Sequence, residues 1–259
     1  MIYSVKECDL MNILCFGDSN TWGYRPDRKG RFDENTRWTG LLQQKLGPEY
    51  HIIEEGLCGR TTIFQDELRE NRRGLDMVGA TVEIHNPIDL MIIMLGTNDC
   101  KSHYRASASL ISKGLDQVIR KARLNASQHF DLLVISPIHL GHGVGEPDFD
   151  PEFDENSEVV SRNLAAEYRK VALQNHAAFL NAADYALPSI TDREHLDEKG
   201  HVALADAIYD KIIALQKGLS NVIRSCYRTT HTIQKSPALT ETNICLRRRF
   251  FNVIVNVFL

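Results

Sequence analysis

Short apolar runs bounded by turn residues alternate along this 259-residue chain with longer stretches in which apolar residues return every three or four positions. The first pattern belongs to strands and the second to amphipathic helices, so their alternation predicts helices wound around a parallel sheet. Strands are expected at Asn12–Phe16, His51–Glu54, Leu90–Leu95, Leu132–Ser136 and Ala178–Asn181. Helices are expected at Thr36–Leu46, Arg72–His85, Ser107–Asn125, Asn156–Asn175 and Glu198–Lys217, the first two stopped by Gly47-Pro48 and Asn86-Pro87. The run Leu90–Leu95 is apolar at every position, as a central strand covered on both faces must be. The fold class expected is therefore α/β, a doubly wound, five-stranded parallel sheet with helices on both faces.

Composition changes this picture little: 43% hydrophobic and 25% charged residues describe an ordinary globular protein with water as its solvent. Charge changes it more. Residues 221–259 hold six basic side chains (Arg224, Arg228, Lys235, Arg247, Arg248, Arg249) against Glu241 alone, although the whole chain carries a net charge of −4. The preceding residues thus have an acidic excess, which disfavours a polyanion and predicts no nucleic-acid partner for them. The chain divides accordingly into a domain at residues 1–218 and an atypical basic and apolar tail at 219–259, which closes on Phe250–Leu259 and is too short to span a membrane. Met1–Leu10 has no apolar core of a secretory signal, and Met11 is a second candidate start. Six scattered cysteines without a C-x-x-C pair read as reduced thiols, which points to a cytoplasmic protein.

Three short motifs carry candidate chemistry. Gly17-Asp18-Ser19-Asn20 follows the first strand, where a serine would stand at the carboxyl edge of the sheet; helix capping by Asp and Ser is the competing role. Gly96-Thr97-Asn98-Asp99 follows the central strand at the same edge, and its asparagine amide can donate to a developing oxyanion or simply close a turn. Asp192-Arg193-Glu194-His195 precedes the last helix. A three-residue spacing within a helical turn would put its carboxylate and imidazole on one face, where the first can orient the second.

Taken together with Gly56-Leu57-Cys58-Gly59-Arg60-Thr61-Thr62, these blocks resemble the SGNH (GDSL-type) serine hydrolases in order and spacing from about Ile13 to Leu215. Ile13–Tyr24, Arg37-Trp38-Thr39 and Glu54–Thr62 look closer to the bacterial arylesterase and acyltransferase branch, which includes perhydrolases, although Cys58 stands where serine or asparagine is common. The resemblance implies a flavodoxin-like three-layer sandwich and a triad of Ser19, Asp192 and His195. It also implies an oxyanion hole formed by the amides of Ser19 and Gly59 and the side chain of Asn98. The implied activity is hydrolysis of small acyl or aryl esters through an acyl-enzyme, with acyl transfer as a side activity. No cofactor is expected, and no metal, since His139 and His142 lack a framing H-E-x-x-H helix.

Trp22, Trp38, Arg60 and Phe64 are candidates to line a substrate pocket, with Tyr24 and Arg25 nearby; for Trp38 packing is the favoured role. The acidic loop Gly141–Phe153 is expected to be exposed and to wall the site. Cys58 reads as a small packing residue rather than a second nucleophile. No G-x-S-x-G elbow and no phosphate-binding glycine loop compete with this reading. The alternative class is a catalytically inactive binding or regulatory module on the same frame. A small ester is the expected partner, and homo-oligomerisation stays open.

Overall fold

A computed structural model describes the backbone of residues 10–233 and the side chains of residues 10–217. Five strands, β1 (Met11–Gly17), β2 (Tyr50–Gly56), β3 (Leu90–Met94), β4 (Asp131–Ser136) and β5 (Ala178–Asn181), form one parallel sheet in the order β2-β1-β3-β4-β5. Between and after them run α1 (Ser19–Trp22), α2 (Trp38–Leu46), α3 (Gly74–His85), α4 (Ala108–Leu124), α5 (Glu155–Gln174) and α6 (Glu198–Ile233). The expected strands and long helices are all present, with ends displaced by a residue or two except in α6. That helix continues past the expected end at Lys217, because a lone Gly218 costs a helix only about 1 kcal/mol and does not stop it. The Arg247–Arg249 cluster and the Phe250–Leu259 run lie outside the described residues.

The side-chain alternation of β3 explains why its sequence shows no polar face. Leu90, Ile92 and Met94 join Trp38, Leu42, Leu204, Ile208 and Ile212 in a buried cluster under α2 and α6. Met91 and Ile93 point the other way, into a second cluster with Val78, Val82, Ile111, Leu115, Leu164 and Tyr168 under α3, α4 and α5. Successive strand residues face opposite sides of a sheet, so a strand covered on both sides must be apolar throughout.

The chain leaves β1 toward β2 on one side and returns to β3 on the other. In an open parallel sheet that reversal leaves a crevice beyond the carboxyl ends of the two strands. Gly17 of β1 pairs with Gly56 of β2 and with Met94 of β3, so the three strands end level at this crevice. A Cβ at Gly56 would lie 2.2 Å from the backbone nitrogen of Trp22, and the glycine therefore lets α1 cross directly over the end of β2. Among the described residues no helix is long and apolar enough to cross a membrane.

Candidate active site

Ser19 stands where β1 gives way to α1. Asp18 caps the short helix, its Oδ1 accepting from the Asn20 N–H at 3.0 Å, which leaves Ser19 as the first helical residue at the crevice. Asn20 fastens this turn to the segment ahead of α6: its Oδ1 accepts from the Leu196 N–H at 2.9 Å, and its carbonyl accepts from Trp38 Nε1 at 3.1 Å. Ser19 and His195, far apart in sequence, are held together by these bonds.

The structure brings Ser19, His195 and Asp192 into one chain of hydrogen bonds. His195 Nε2 lies 2.8 Å from Ser19 Oγ, and His195 Nδ1 lies 2.7 Å from Asp192 Oδ2. Asp192 Oδ1 accepts from the backbone N–H groups of Glu194 and His195 at 3.1 and 3.0 Å. The expected helical turn is not what aligns them. Residues 192–195 form a turn with Arg193 in the left-handed region at φ 64°, anchored by Ser189 N–H to the His195 carbonyl and by Gly141 N–H to the Arg193 carbonyl. The aspartate's own acceptor oxygens shape that turn, as Asx geometry allows.

Electrostatically the cluster is acidic. Burial alone would lower the pKa of His195, but Glu194 and Asp192 outweigh it, with help from Asp18, and raise it to about 9. Burial raises Glu194 to about 7 and Asp18 to about 6. Asp192 is held below the usual carboxylate range: burial pushes it up, and the hydrogen bonds from His195 more than compensate.

Gly59 and Asn98, from the loops after β2 and β3, line the same cavity as Ser19. Gly59 has φ 81°, a conformation that glycine adopts without strain, and Asn98 Nδ2 donates to the Arg60 carbonyl at 3.1 Å. That bond uses one of the two amide hydrogens. The two loops are clamped together by Asp99, which accepts from the Thr62 N–H at 2.9 Å and from its hydroxyl. Burial raises Asp99 to about 7.

A cavity of about 360 Å³ opens on Ser19, Gly59, Asn98, Asp192 and His195. The other expected pocket residues lie elsewhere. Trp38 is wholly buried beneath α6, where its backbone N–H donates to His201 Nδ1. Arg60 is buried under Phe16 and donates to the carbonyls of Gly17 and Glu55, tying the ends of β1 and β2 together. Phe64 stacks on Tyr104, and Trp22 lies under Arg31. None of the four is among the residues that line this cavity. The walls come instead from Tyr24, Arg28, Cys58, Arg69, Lys101 and Glu194, and from Phe149, Asp150 and Pro151 of the acidic loop. That loop is not simply exposed: Val144 and Phe153 are buried, and Arg28 donates to the Phe149 carbonyl across the mouth. Glu194 was legible only as the unassigned neighbour of His195. Burial raises the Cys58 thiol to about 11, which keeps it protonated and poorly nucleophilic. Among the described residues no group of three or more His, Cys, Asp or Glu side chains is arranged to hold a metal ion.

Residues 15–209 match the GDSL-like Lipase/Acylhydrolase family. An acetylxylan esterase from Xylanibacter ruminicola is 24% identical over 223 residues, 77% of this chain, and the chain spans 42% of that esterase's length. Among solved structures, an aryl esterase from M. smegmatis is 33% identical with a TM-score of 0.74, the match covering 79% of this chain and 99% of that one. A carbohydrate acetylesterase from Sinorhizobium meliloti is 32% identical with a TM-score of 0.72 and the same coverage.

Proposed function

The chain belongs to the GDSL-like lipase/acylhydrolase family, and on that premise we propose that it is a serine esterase acting on small carboxylic esters through an acyl-enzyme. The observation that carries this reading is the unbroken relay from Asp192 through His195 to Ser19, with hydrogen bonds of 2.7 and 2.8 Å at the floor of a cavity.

In this mechanism Ser19 Oγ attacks the ester carbonyl while neutral His195 takes its proton at Nε2, and Asp192 holds the ring through Nδ1. The carbonyl oxygen becomes an oxyanion. It meets the backbone N–H groups of Ser19 and Gly59 and the Asn98 amide hydrogen that Arg60 does not use. When the tetrahedral intermediate collapses, the bond to the alcohol oxygen breaks and the imidazolium protonates that oxygen as it leaves. Water then gives a proton to His195, attacks the acyl group and releases the acid, restoring Ser19. An alcohol taking the place of that water would receive the acyl group by the same steps, so acyl transfer is the side reaction to measure.

At about 360 Å³ the cavity is at the lower end for ligand sites, which suits an acetyl or small aryl acyl group better than a fatty chain. The similarity to acetyl- and arylesterases supports the same class. With p-nitrophenyl esters running from acetate to laurate, turnover is expected to be greatest at the short end, and a fluorophosphonate probe is expected to label Ser19. A protein that neither labels nor turns over any ester is the inactive binding module instead.

We further assign catalysis to residues 1–218. Among the described residues, the α6 side chains buried against the sheet are Leu204, Ala205, Ala207, Ile208 and Ile212. A chain ending at Gly218 is therefore expected to keep the turnover of the full chain; an inactive or unfolded product would make the tail part of the working enzyme. The free thiols of Cys15, Cys58 and Cys100 favour a reducing cytoplasm as its place of action.

A further inference from the structure

Two carboxylates flank His195, and the relay uses only one. Asp192 meets Nδ1, whereas Glu194 Oε1 lies 3.7 Å from Nε2, the nitrogen that also meets Ser19 Oγ at 2.8 Å. Glu194 is only 7% exposed, lines the cavity, and among the described residues has His195 as its one ion-pair contact. The turn at Arg193 and the bond from Glu194 N–H to Asp192 Oδ1 fix the backbone from which this side chain enters the cavity.

We propose that Glu194 is a positioning residue of the reaction: from the cavity side its carboxylate, 3.7 Å from Nε2, stabilises the imidazolium that forms when His195 takes the Ser19 proton. The inference rests on the esterase reading and adds to it the pH at which the relay becomes competent.

The other groups facing this pair do not cancel the effect. Asp18 from the N-terminus of α1 and Asp150 from the loop after β4 add negative charge. Lys101 and Arg69 are taken up by Glu152 and Asp66, at 2.7 Å for Lys101 with Glu152 and 3.0 Å for Arg69 with Asp66. Tyr24 contributes a ring at 4.7 Å from the imidazole, and His201 behind it is kept neutral by burial, which lowers it to about 4. Glu194 itself neither gives nor receives the transferred proton. That proton passes from Ser19 Oγ to Nε2 and then to the leaving oxygen, while the nearby negative charge favours the charged state of the ring between the two transfers.

The direction follows from the protonation states. The carboxylates around the ring raise His195 to about 9, and only its neutral form can accept the serine proton, so activity is expected to rise with pH through the alkaline range. The test is the pH profile of kcat/KM for acetate-ester hydrolysis in the wild-type enzyme, Glu194→Gln and Glu194→Leu, with thermal unfolding followed in parallel. The wild-type midpoint is expected well on the alkaline side of an ordinary imidazole, and both variants are expected to move it down by at least about one unit. The alkaline plateau is expected to fall by roughly tenfold, as stabilisation of the imidazolium is lost. Midpoints that agree within about half a unit across the three proteins overturn the proposal. So does a wild-type midpoint in the ordinary imidazole range, which needs no variant to fold. Absence of both turnover and fluorophosphonate labelling in the wild type would instead defeat the esterase reading on which the proposal stands.

Discussion

Ser19→Ala and His195→Ala are each expected to reduce ester turnover by roughly 10⁶-fold, and the double variant to be no worse than either alone. The hydroxyl is the only atom lost at position 19, and its one described hydrogen bond is with His195. The bonds that hold the turn use the backbone: the Ser19 carbonyl accepts from the N–H groups of Gly23 and Tyr24, and an alanine keeps both. At position 195 the backbone N–H still reaches Asp192 and the carbonyl still receives Ser189 N–H once the ring is gone. Ser19→Ala should therefore unfold at a temperature near that of the wild type, and His195→Ala, which leaves Asp192 and Glu194 buried without their partner, at a lower one while still folded at assay temperature. The non-additivity is the diagnostic feature, because a nucleophile without its base and a base without its nucleophile fail at the same step. Residual activity within tenfold of wild type in either variant would remove that residue from the mechanism.

How much of this could be read from sequence follows from which forces act locally. The sheet was legible because burial on both faces leaves β3 no polar position, and an unbroken apolar run as short as Leu90–Leu95 suits a central strand far better than a helix. Ser19, Asn98 and the Asp192–His195 segment were legible because a parallel sheet puts the ends of its strands at one edge, whatever the details of the loops. The side-chain directions were not. Trp22, Trp38, Arg60 and Phe64 sit beside the motifs in sequence, but the side chain of each turns to another partner: Arg31, the Asn20 carbonyl, Phe16 and Tyr104 respectively. Arg60 is the plainest case, since a charged side chain reads as solvated until two carbonyls are found to take its donors inside the fold. Glu194 was hidden for the same reason. The left-handed Arg193 had no signal at all, as neither glycine nor asparagine marks that position.

On the proposed mechanism Asn98→Ala is expected to lower kcat by about 10²–10³-fold with a smaller change in KM, because the proposal gives its amide hydrogen to charge that exists only in the transition state. The asparagine has a second task, and the two must be separated. Its Nδ2 also donates to the Arg60 carbonyl, so alanine breaks one tie between the loops after β3 and β2. A neutral hydrogen bond of that kind contributes about 1 kcal/mol to stability, and the clamp from Asp99 to Thr62 remains to hold the same two loops. Unfolding temperature should therefore fall by only a few degrees, too little to account for the catalytic loss at assay temperature. Because the proposed hole keeps the Ser19 and Gly59 amides as donors, Asn98→Ala should stay measurably more active than Ser19→Ala. An effect confined to KM would make Asn98 a ground-state binding residue, and a loss of kcat that follows unfolding would make it a structural one. The expected pattern is a kcat deficit that persists in protein shown to be folded, because the proposed hole would lose one of its three donors and keep two.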